Sequence, residues 1–380
     1  MSTFAPERPT IGQRAGNLGL ALVSPRGAAF LLLIVLMIAI TVLNPQFAQP
    51  DDLVRFVQRV APVALVAIGQ YFVIVSGEFD LSQGSVITTQ VVVAATYIGQ
   101  DDSRILPGVL LMVGIGLAVG IVNGLVTTLL KVPSFIMTLG MMLALLGFAF
   151  WVGGLPSGNP TETIRQVGRG GIRDLPVINF LPWSVVILIV VIALAIWFSR
   201  RPFGRAMKAA GDNVVTAEYA GIRVWAVKTG AFVISSLSAT LVGLILVGSA
   251  GVHQNTGRGY EFIAITAVVL GGVVLGGGRG WVVGAVAGAF ALEALFMLLN
   301  FTPVPATYRD AIQGVIIIAA VAYAAVTFRS RRKPSALAAS AAAAPETSPE
   351  RELEPEPAEA PAGSAPHPSD QDGSAKQGGQ

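Results

Sequence analysis

Long apolar runs, separated by short polar or glycine-rich breaks, make up most of this chain. A helix needs roughly 20 residues to cross about 30 Å of hydrocarbon, and ten runs approach that length. They lie at 27–43, 60–76, 83–99, 105–130, 134–153, 181–198, 226–250, 260–276, 279–300 and 308–327. The runs are too long for barrel strands, and backbone groups in lipid need partners within their own segment. The pattern therefore predicts an all-α, polytopic bundle of about ten transmembrane helices.

Composition supports a membrane protein and excludes several kinds of site. Of the 380 residues, 53% are hydrophobic and 12% are charged, whereas a soluble domain has about 25% charged residues. The chain has no Cys and two His, which excludes a disulfide scaffold, a cysteine nucleophile and a thiolate metal site. No Ser–His–Asp set or carboxylate pair can be assembled on one side of the membrane. We therefore predict no catalytic residue, no metal site and no enzymatic activity.

The runs divide the chain into three parts: an N-terminal segment at 1–26, a transmembrane region at 27–330 and a tail at 331–380. The tail is rich in Ala, Pro and Glu, so it cannot bury a core and is predicted to be disordered. With ten spans, Lys and Arg are more frequent in the loops that share a side with the termini. This bias predicts that both termini are cytoplasmic, although one helix more or fewer would invert part of the bundle.

A basic segment follows the sixth run, and within it Gly211 and Gly221 bracket about nine residues. Asp212, or the Asn after it, can cap a helix start, and Gly221 suits a left-handed helix end. Val215 and Tyr219 are four residues apart and would share one helix face. The spacing predicts a short helix that docks into a groove of a partner. A basic loop that contacts nothing is an equally good interpretation of the spacing alone.

The break at 75–85 contains acidic and hydroxyl residues at or near membrane depth. Gly77 and Gly84 allow the helix to break, and charges at this depth usually face water or a partner. Broken transporter helices line polar cavities in this way. The alternative is a tight cytoplasmic hairpin with solvated carboxylates. The residues predicted to line a translocation pathway are Glu78, Asp80, Ser82, Ser85 and, from a later run, Glu293.

Glycines also form two stripes with a spacing of four residues, which lets helices approach closely. We interpret them as packing positions. They are Gly116, Gly120 and Gly124 in one run, and Gly280, Gly284 and Gly288 in another. A further glycine-rich break at 271–280 lacks the order G-x-x-x-x-G-K-[ST], which occurs nowhere in the chain. An ATP site is therefore not expected on this chain.

The sequence S-G-E-F-D-L-S-Q-G-S at 76–85 resembles the G-x-D-L-S-x-G-S signature of permease subunits from ribose- and xylose-type ABC importers. Segments at 132–140, 204–222 and 259–280 resemble further motifs of these permeases, in the same order. The resemblance covers roughly residues 55–327 and rests on four motifs together.

The chain departs from the shared pattern at Gln83, where such permeases commonly have Val. The tail and the glycine-rich loop at 154–180 also lie outside that pattern. These departures leave the family resemblance intact, but they leave the identity of the substrate open.

The resemblance implies the ABC-importer permease fold and import of a monosaccharide across the inner membrane by alternating access. It implies a second permease copy or a sister permease, cytoplasmic ATP-binding cassette subunits and an extracytoplasmic sugar-binding protein, with no nucleic acid. ATP and Mg would be bound by those cassette subunits, with no cofactor on this chain. The basic segment would couple the permease to the ATPase through Gly211, Asp212, Val215, Tyr219, Gly221 and Ile222.

Two alternatives remain open at this point. One is a permease of the same superfamily for branched-chain amino acids or nucleosides, which has the same pattern of apolar runs. The other is a proton-coupled secondary transporter that uses Glu78, Asp80 or Glu293 as a proton relay.

Overall fold

The computed structural model describes residues 27–153, 160–176, 178–253 and 255–301, with single positions between 305 and 322. The predicted segments 1–26 and 331–380, and most of the predicted run at 308–327, lie outside the described residues.

The described residues form α-helices and one two-stranded hairpin. The helices are α1 Ala28–Leu43, α2 Pro50–Val75, α3 Gln83–Val93, α4 Ile105–Leu129, α5 Ser134–Gly153, α6 Glu162–Arg169, α7 Trp183–Arg200, α8 Pro202–Asp212, α9 Val214–Tyr219, α10 Val224–Ala250, α11 Tyr260–Leu270 and α12 Val282–Asn300. The antiparallel strands are β1 Gly171–Arg173 and β2 Phe180–Pro182. Short 3-10 turns at Pro45–Ala48 and Asp102–Arg104 precede α2 and α4, and a π turn at Ala94–Ile98 continues α3.

Within the described ranges, six helices are long and apolar enough to cross a membrane: α2, α4, α5, α7, α10 and α12. Helices α1 and α11 are apolar but shorter, and α3 has 11 residues before its π turn. The chain is therefore a mostly helical, multi-pass membrane protein. The predicted total of about ten transmembrane helices is not confirmed.

All five tryptophans of the chain are exposed and lie at or near a helix end. Trp183 begins α7 and Trp197 lies near its end, about 21 Å further along the axis. Trp225 and Trp281 lie at the starts of α10 and α12, and Trp151 lies near the end of α5. Because Trp concentrates at membrane–water interfaces, these positions mark the two boundaries of the bundle.

The two ends of the bundle carry different segments. One end, here named the α9 end, carries residues 201–223 and 271–281, which contact each other and the end of α2. The other end, here named the hairpin end, carries α6 and the hairpin β1–β2. Helix α6 packs there on the last turn of α10, where the Arg169 side chain donates hydrogen bonds to the carbonyl of Ser249.

The core is built from two equivalent series of elements. In each series, a long helix is followed by a non-helical stretch, a short helix and a second long helix. The first series is α2, 76–82, α3 and α4, and the second is α10, the described residues at 251–253 and 255–259, α11 and α12. Helix α10 packs on α3 and α4 of the first series, while α2 packs on α11 and α12 of the second. Helices α2 and α10 therefore occupy the centre of the bundle.

The stripe of Gly116, Gly120 and Gly124 lies on the buried face of α4 that contacts α10. A Cβ added at Gly120 would lie 2.6 Å from the Cα of Val233, and one at Gly124 would lie 2.5 Å from the Cα of Thr229. Real Cβ atoms do not come this close to backbone atoms. These glycines therefore set the short distance between α4 and α10.

The second stripe is shorter than the sequence predicted. Gly284 and Gly288 lie on α12 against the backbone of α11. Gly280 precedes α12, has a φ of 147° and lies against the side chain of Val273. Gly280 therefore belongs to the glycine-rich break before the helix, and the prediction that it continues the helical stripe is wrong.

Candidate functional site

The second non-helical stretch packs in the interior against the start of α3, the helix that follows the first stretch 76–82. The backbone N–H of Gly257 donates to the hydroxyl of Thr88 over 3.2 Å. A Cβ added at Gly84 would lie 2.5 Å from the carbonyl oxygen of Gly257. The N-terminal ends of two short helices thus come together inside the bundle, as in transporters that have broken helices.

Asp80 is the polar centre of the first stretch, and its side chain is fully buried. One carboxylate oxygen accepts from the backbone N–H of Ser82 at 2.8 Å and from its hydroxyl at 2.6 Å. The other oxygen accepts from the hydroxyl of Ser235 on α10 at 2.6 Å. The amide of Asn123 on α4 donates to the Ser82 hydroxyl at 2.9 Å. This network ties the stretch to α4 and α10.

Neighbouring side chains satisfy the backbone of the same stretch. The N–H groups of Phe79 and Leu81 donate to the hydroxyls of Ser134 and Thr138 on α5, each over 3.1 Å. With its amide oriented so that the nitrogen faces acceptors, Gln70 pairs with the backbone N–H and C=O of Asp80, at 3.3 and 3.2 Å. Since unpaired backbone groups are strongly unfavourable inside a membrane, these side chains allow the helix to break there.

Three of the predicted pathway residues are therefore enclosed by protein. Asp80, Ser82 and Ser85 are buried, and the Ser85 hydroxyl donates to the carbonyl of Ser82 at 2.7 Å. The alternative interpretation, a hairpin with solvated carboxylates, is wrong for Asp80. In the described conformation these residues stabilise the break, and their assignment to a translocation pathway stays a prediction.

Glu78 has a different environment from Asp80. It forms an ion pair with the Nζ atom of Lys228 on α10 at 2.5 Å, and the two side chains are 15% and 12% exposed. This pair fixes the start of the stretch to the first turns of α10. A largely buried pair is sensitive to loss of one partner, because the remaining charge is then uncompensated.

Glu293 lies on α12, apart from the hydrogen-bond network of Asp80. It is half-buried, and its charge interacts electrostatically with Arg59 on α2 and with Tyr260 at the start of α11. The structure therefore does not join Glu293 to the other four predicted pathway residues.

The predicted short helix in the basic segment is α9. The side chain of Asn213 accepts from the N–H of Thr216 at 3.0 Å, so Asn213 caps the helix, and Asp212 does not. Gly221, with a φ of 79°, follows the helix end. Val215 and Tyr219 are 59% and 89% exposed. Helix α9 thus presents an apolar pair to the surroundings on an otherwise basic segment.

Gly211 does not bracket α9, because it lies within α8. A Cβ there would lie 2.7 Å from the backbone nitrogen of Gly278, which donates to the carbonyl of Val75 at 2.9 Å. Asp212 and Arg279 form an exposed ion pair at 3.9 Å. Residues 211–222 and 277–279 thus form one continuous surface beside the end of α2, here named the docking surface.

Ile222, the remaining residue that was predicted to couple the permease to an ATPase, is half-buried and lies just beyond α9. Its N–H donates to the carbonyl of Ala217 at 3.0 Å, and its side chain packs against the apolar core. Ile222 therefore anchors the end of α9 to the bundle and presents little surface to a partner.

Two residues of these sites, Ser235 and Lys228, were missed in the sequence. Ser235 lies in an ordinary apolar run, and only the fold brings it to Asp80. Lys228 could have been noticed, because a charge inside an apolar run needs a partner. Among the described residues, no group of three His, Asp or Glu could hold a metal ion.

A family model described as "Branched-chain amino acid transport system / permease component" matches residues 53–321. The chain belongs to this permease family. The matched part of the permease contains the non-helical stretches that precede α3 and α11, and it contains the docking surface.

Several curated relatives of the permease are similar over most of its length. The ribose import permease RbsC of Bacillus subtilis is 33% identical, over 77% of this chain and 90% of the relative. RbsC of Escherichia coli K12 is 34% identical, over 77% and 91%. The autoinducer 2 import permease LsrC of Photorhabdus laumondii is 28% identical, over 78% and 87%. No solved structure matches the chain significantly.

Proposed function

We propose that this permease is the membrane subunit of an ATP-dependent ABC importer that carries a monosaccharide, ribose or a similar sugar, across the plasma membrane. The observation that carries this proposal is the similarity of 77% of the chain to permeases named for ribose import. Autoinducer 2, named for other relatives, and branched-chain amino acids, named in the family description, are the competing substrates.

The energy is proposed to come from separate cassette subunits that bind ATP and Mg. The chain has no phosphate-binding loop of the G-x-x-x-x-G-K-[ST] type. The docking surface offers α9 with its exposed Val215 and Tyr219, which suits insertion into a groove of a partner. The α9 end would then be cytoplasmic, in agreement with its basic residues.

The contacts of Gly211 suggest how docking reaches the centre of the bundle. Gly211 lies directly against Val75, where α2 ends, and against Gly278, in the break before α12. A displacement of α8 and α9 would therefore move the ends of both elements. The end of α2 leads through 76–82 into the start of α3, and the break before α12 follows the end of α11. Movement of these elements would thus reach both short helices, where alternating access would open and close the bundle.

The hairpin end would receive sugar from an extracytoplasmic binding protein, and a second permease copy or a sister permease would complete the pathway. Membership of the permease family supports these partners, and the exposed residues of α9 support the cytoplasmic one.

The substrate can be tested by uptake into proteoliposomes that contain the permease with the cassette and sugar-binding subunits of its source organism. Radiolabelled ribose, xylose, glucose, leucine and adenosine are compared at equal concentration. We expect uptake of a pentose to exceed that of leucine and adenosine by about tenfold or more, since a site built for hydroxyl groups rejects analogues that leave those groups unpaired. Uptake of leucine or adenosine without sugar uptake would contradict the proposal.

A further inference from the structure

One exposed helix face of the bundle is polar. At the start of α2, Arg55 and Arg59 are exposed and Gln58 between them is half-buried, whereas every residue from Val60 to Val75 is buried. The exposed faces of other long helices carry apolar side chains. Examples are Leu110 on α4, Leu143 on α5 and Ile189 on α7, which are 63%, 62% and 59% exposed. The apolar faces suit lipid, and the face of α2 does not.

Arg59 lies at a depth where lipid would be an unfavourable neighbour. Val75 lies at the α9 end, because it accepts a hydrogen bond from Gly278. Arg59 is about 24 Å from Val75 along the helix axis, within the roughly 30 Å of a hydrocarbon core. An exposed charge at this depth usually faces a water-filled space or another protein chain.

Helix α12 brings a second charge to the same region. Glu293 is half-buried and lies about 16 Å along the axis from Val282, near mid-depth. The rings of Phe56 and Phe290, 6.0 Å apart and edge to face, hold α2 beside α12. Arg59 on α2 and Glu293 on α12 therefore lie within electrostatic reach of each other, and the phenol of Tyr260 lies within reach of Glu293.

We propose that Arg55, Gln58, Arg59, Tyr260 and Glu293 form the polar wall of the translocation pathway, on the side of the hairpin end, and bind the hydroxyl groups of a polyhydroxylated solute. These residues are named the pathway wall. A guanidinium offers several donors, a carboxylate only accepts, and a phenol does both. Sugar hydroxyls need donors and acceptors together, which this set provides. The inference rests on the proposed function and adds the exposed face of α2 to the predicted pathway.

The absence of Cys from the chain allows a direct test by single-cysteine labelling. Gln58→Cys, Arg59→Cys and Glu293→Cys are treated with a charged, membrane-impermeant maleimide in membrane vesicles of either orientation. Leu110→Cys, Leu143→Cys and Ile189→Cys are the lipid-facing controls, and Arg104→Cys in an exposed turn is the aqueous control. Thiolates react and thiols in lipid do not, so we expect the three wall positions to react about tenfold faster or more than the lipid-facing controls.

Labelling rates as low as those of the lipid-facing controls would overturn the proposal. In that case, oxidative cross-linking between two copies of Arg59→Cys would assign the face to a contact between copies. Gln58→Cys keeps both charges, so a folding defect from loss of Arg59 or Glu293 does not affect it. All variants are first checked for a single symmetric elution peak in detergent.

The labelling needs neither ATP nor sugar, so it is independent of whether ribose is the substrate. A second readout connects the wall to transport: labelled Gln58→Cys is expected to lose most ribose uptake, while labelled Arg104→Cys keeps it. The wall positions could label fast while the unmodified system takes up no sugar. That result would contradict the proposed function, but the pathway wall would still be exposed to water. Full ribose uptake by labelled Gln58→Cys would overturn the role of the wall in transport.

Discussion

Tyr219→Asp is expected to abolish most ATP-driven uptake while the permease remains folded. Tyr219 is 89% exposed, so the substitution removes little packing within the chain. In a docked complex the ring would fill a groove of the cassette subunit, and large aromatic residues often dominate such interfaces. Burying a carboxylate there without a partner costs several kcal/mol, which corresponds to a loss in affinity of about a hundredfold.

The measurement is co-purification of the cassette subunit with the permease, together with sugar uptake by the same preparation. Thr163→Asp provides a matched control, because it places the same charge on an exposed helical position at the hairpin end. Tyr219→Phe should retain binding, since the ring is kept. If Tyr219→Asp retained normal cassette binding and uptake, α9 would not be the docking element.

Gly84→Val is expected to prevent formation of the folded bundle. Even a Cβ at Gly84 would lie 2.5 Å from the carbonyl oxygen of Gly257 and would overlap the carboxylate of Glu261. The N-terminal ends of α3 and α11 would have to separate, and the buried network of Asp80 lies only a few residues away. Because overpacking is combined with exposure of buried polar groups, we expect the free energy of unfolding to fall by more than about 4 kcal/mol.

Gly114→Val is the matched control for this substitution. Gly114 also lies in a helix of the bundle, but no atom lies within 4 Å of a Cβ added there. Both variants are compared by yield of monodisperse protein in detergent and by thermal denaturation. Equal stability of Gly84→Val and Gly114→Val would show that the N-terminal ends of α3 and α11 do not touch.

Apolar runs alone predicted the lipid-facing helices well. The runs at 105–130 and 134–153 correspond to α4 Ile105–Leu129 and α5 Ser134–Gly153. These helices expose apolar side chains along their length, so an apolar run in the sequence has nearly the same bounds as the helix. The loop predicted at 154–180 contains α6 and β1, whose short, partly polar sequences carry no hydropathy signal.

The start of α2 was predicted ten residues too late, at 60, while the helix begins at Pro50. Proline in the first turn and two acidic residues after it are ordinary signals of a helix start. The charges of Arg55 and Arg59 hid that start from a criterion based on apolar runs. The same charges form the proposed pathway wall, so the prediction failed where function is proposed.

Only those features of the candidate site that depend on neighbouring residues in the sequence could be predicted. The cap and the glycine end of α9 are local, and the sequence predicted a short helix there. The partners of Asp80 and Gly211 are not local, because Ser235 and Gly278 come from distant segments. The sequence therefore indicated that 76–85 breaks a helix, but it did not indicate which groups satisfy that break.

The central property proposed for this permease is that another chain supplies the energy for transport. The direct measurement is ribose uptake by proteoliposomes that contain the permease and the sugar-binding protein, with the cassette subunits and ATP present or omitted. We expect uptake only when both are present, with no effect of an uncoupler. Uptake by the permease without the cassette subunits, driven by a proton gradient and abolished by the uncoupler, would contradict this proposal.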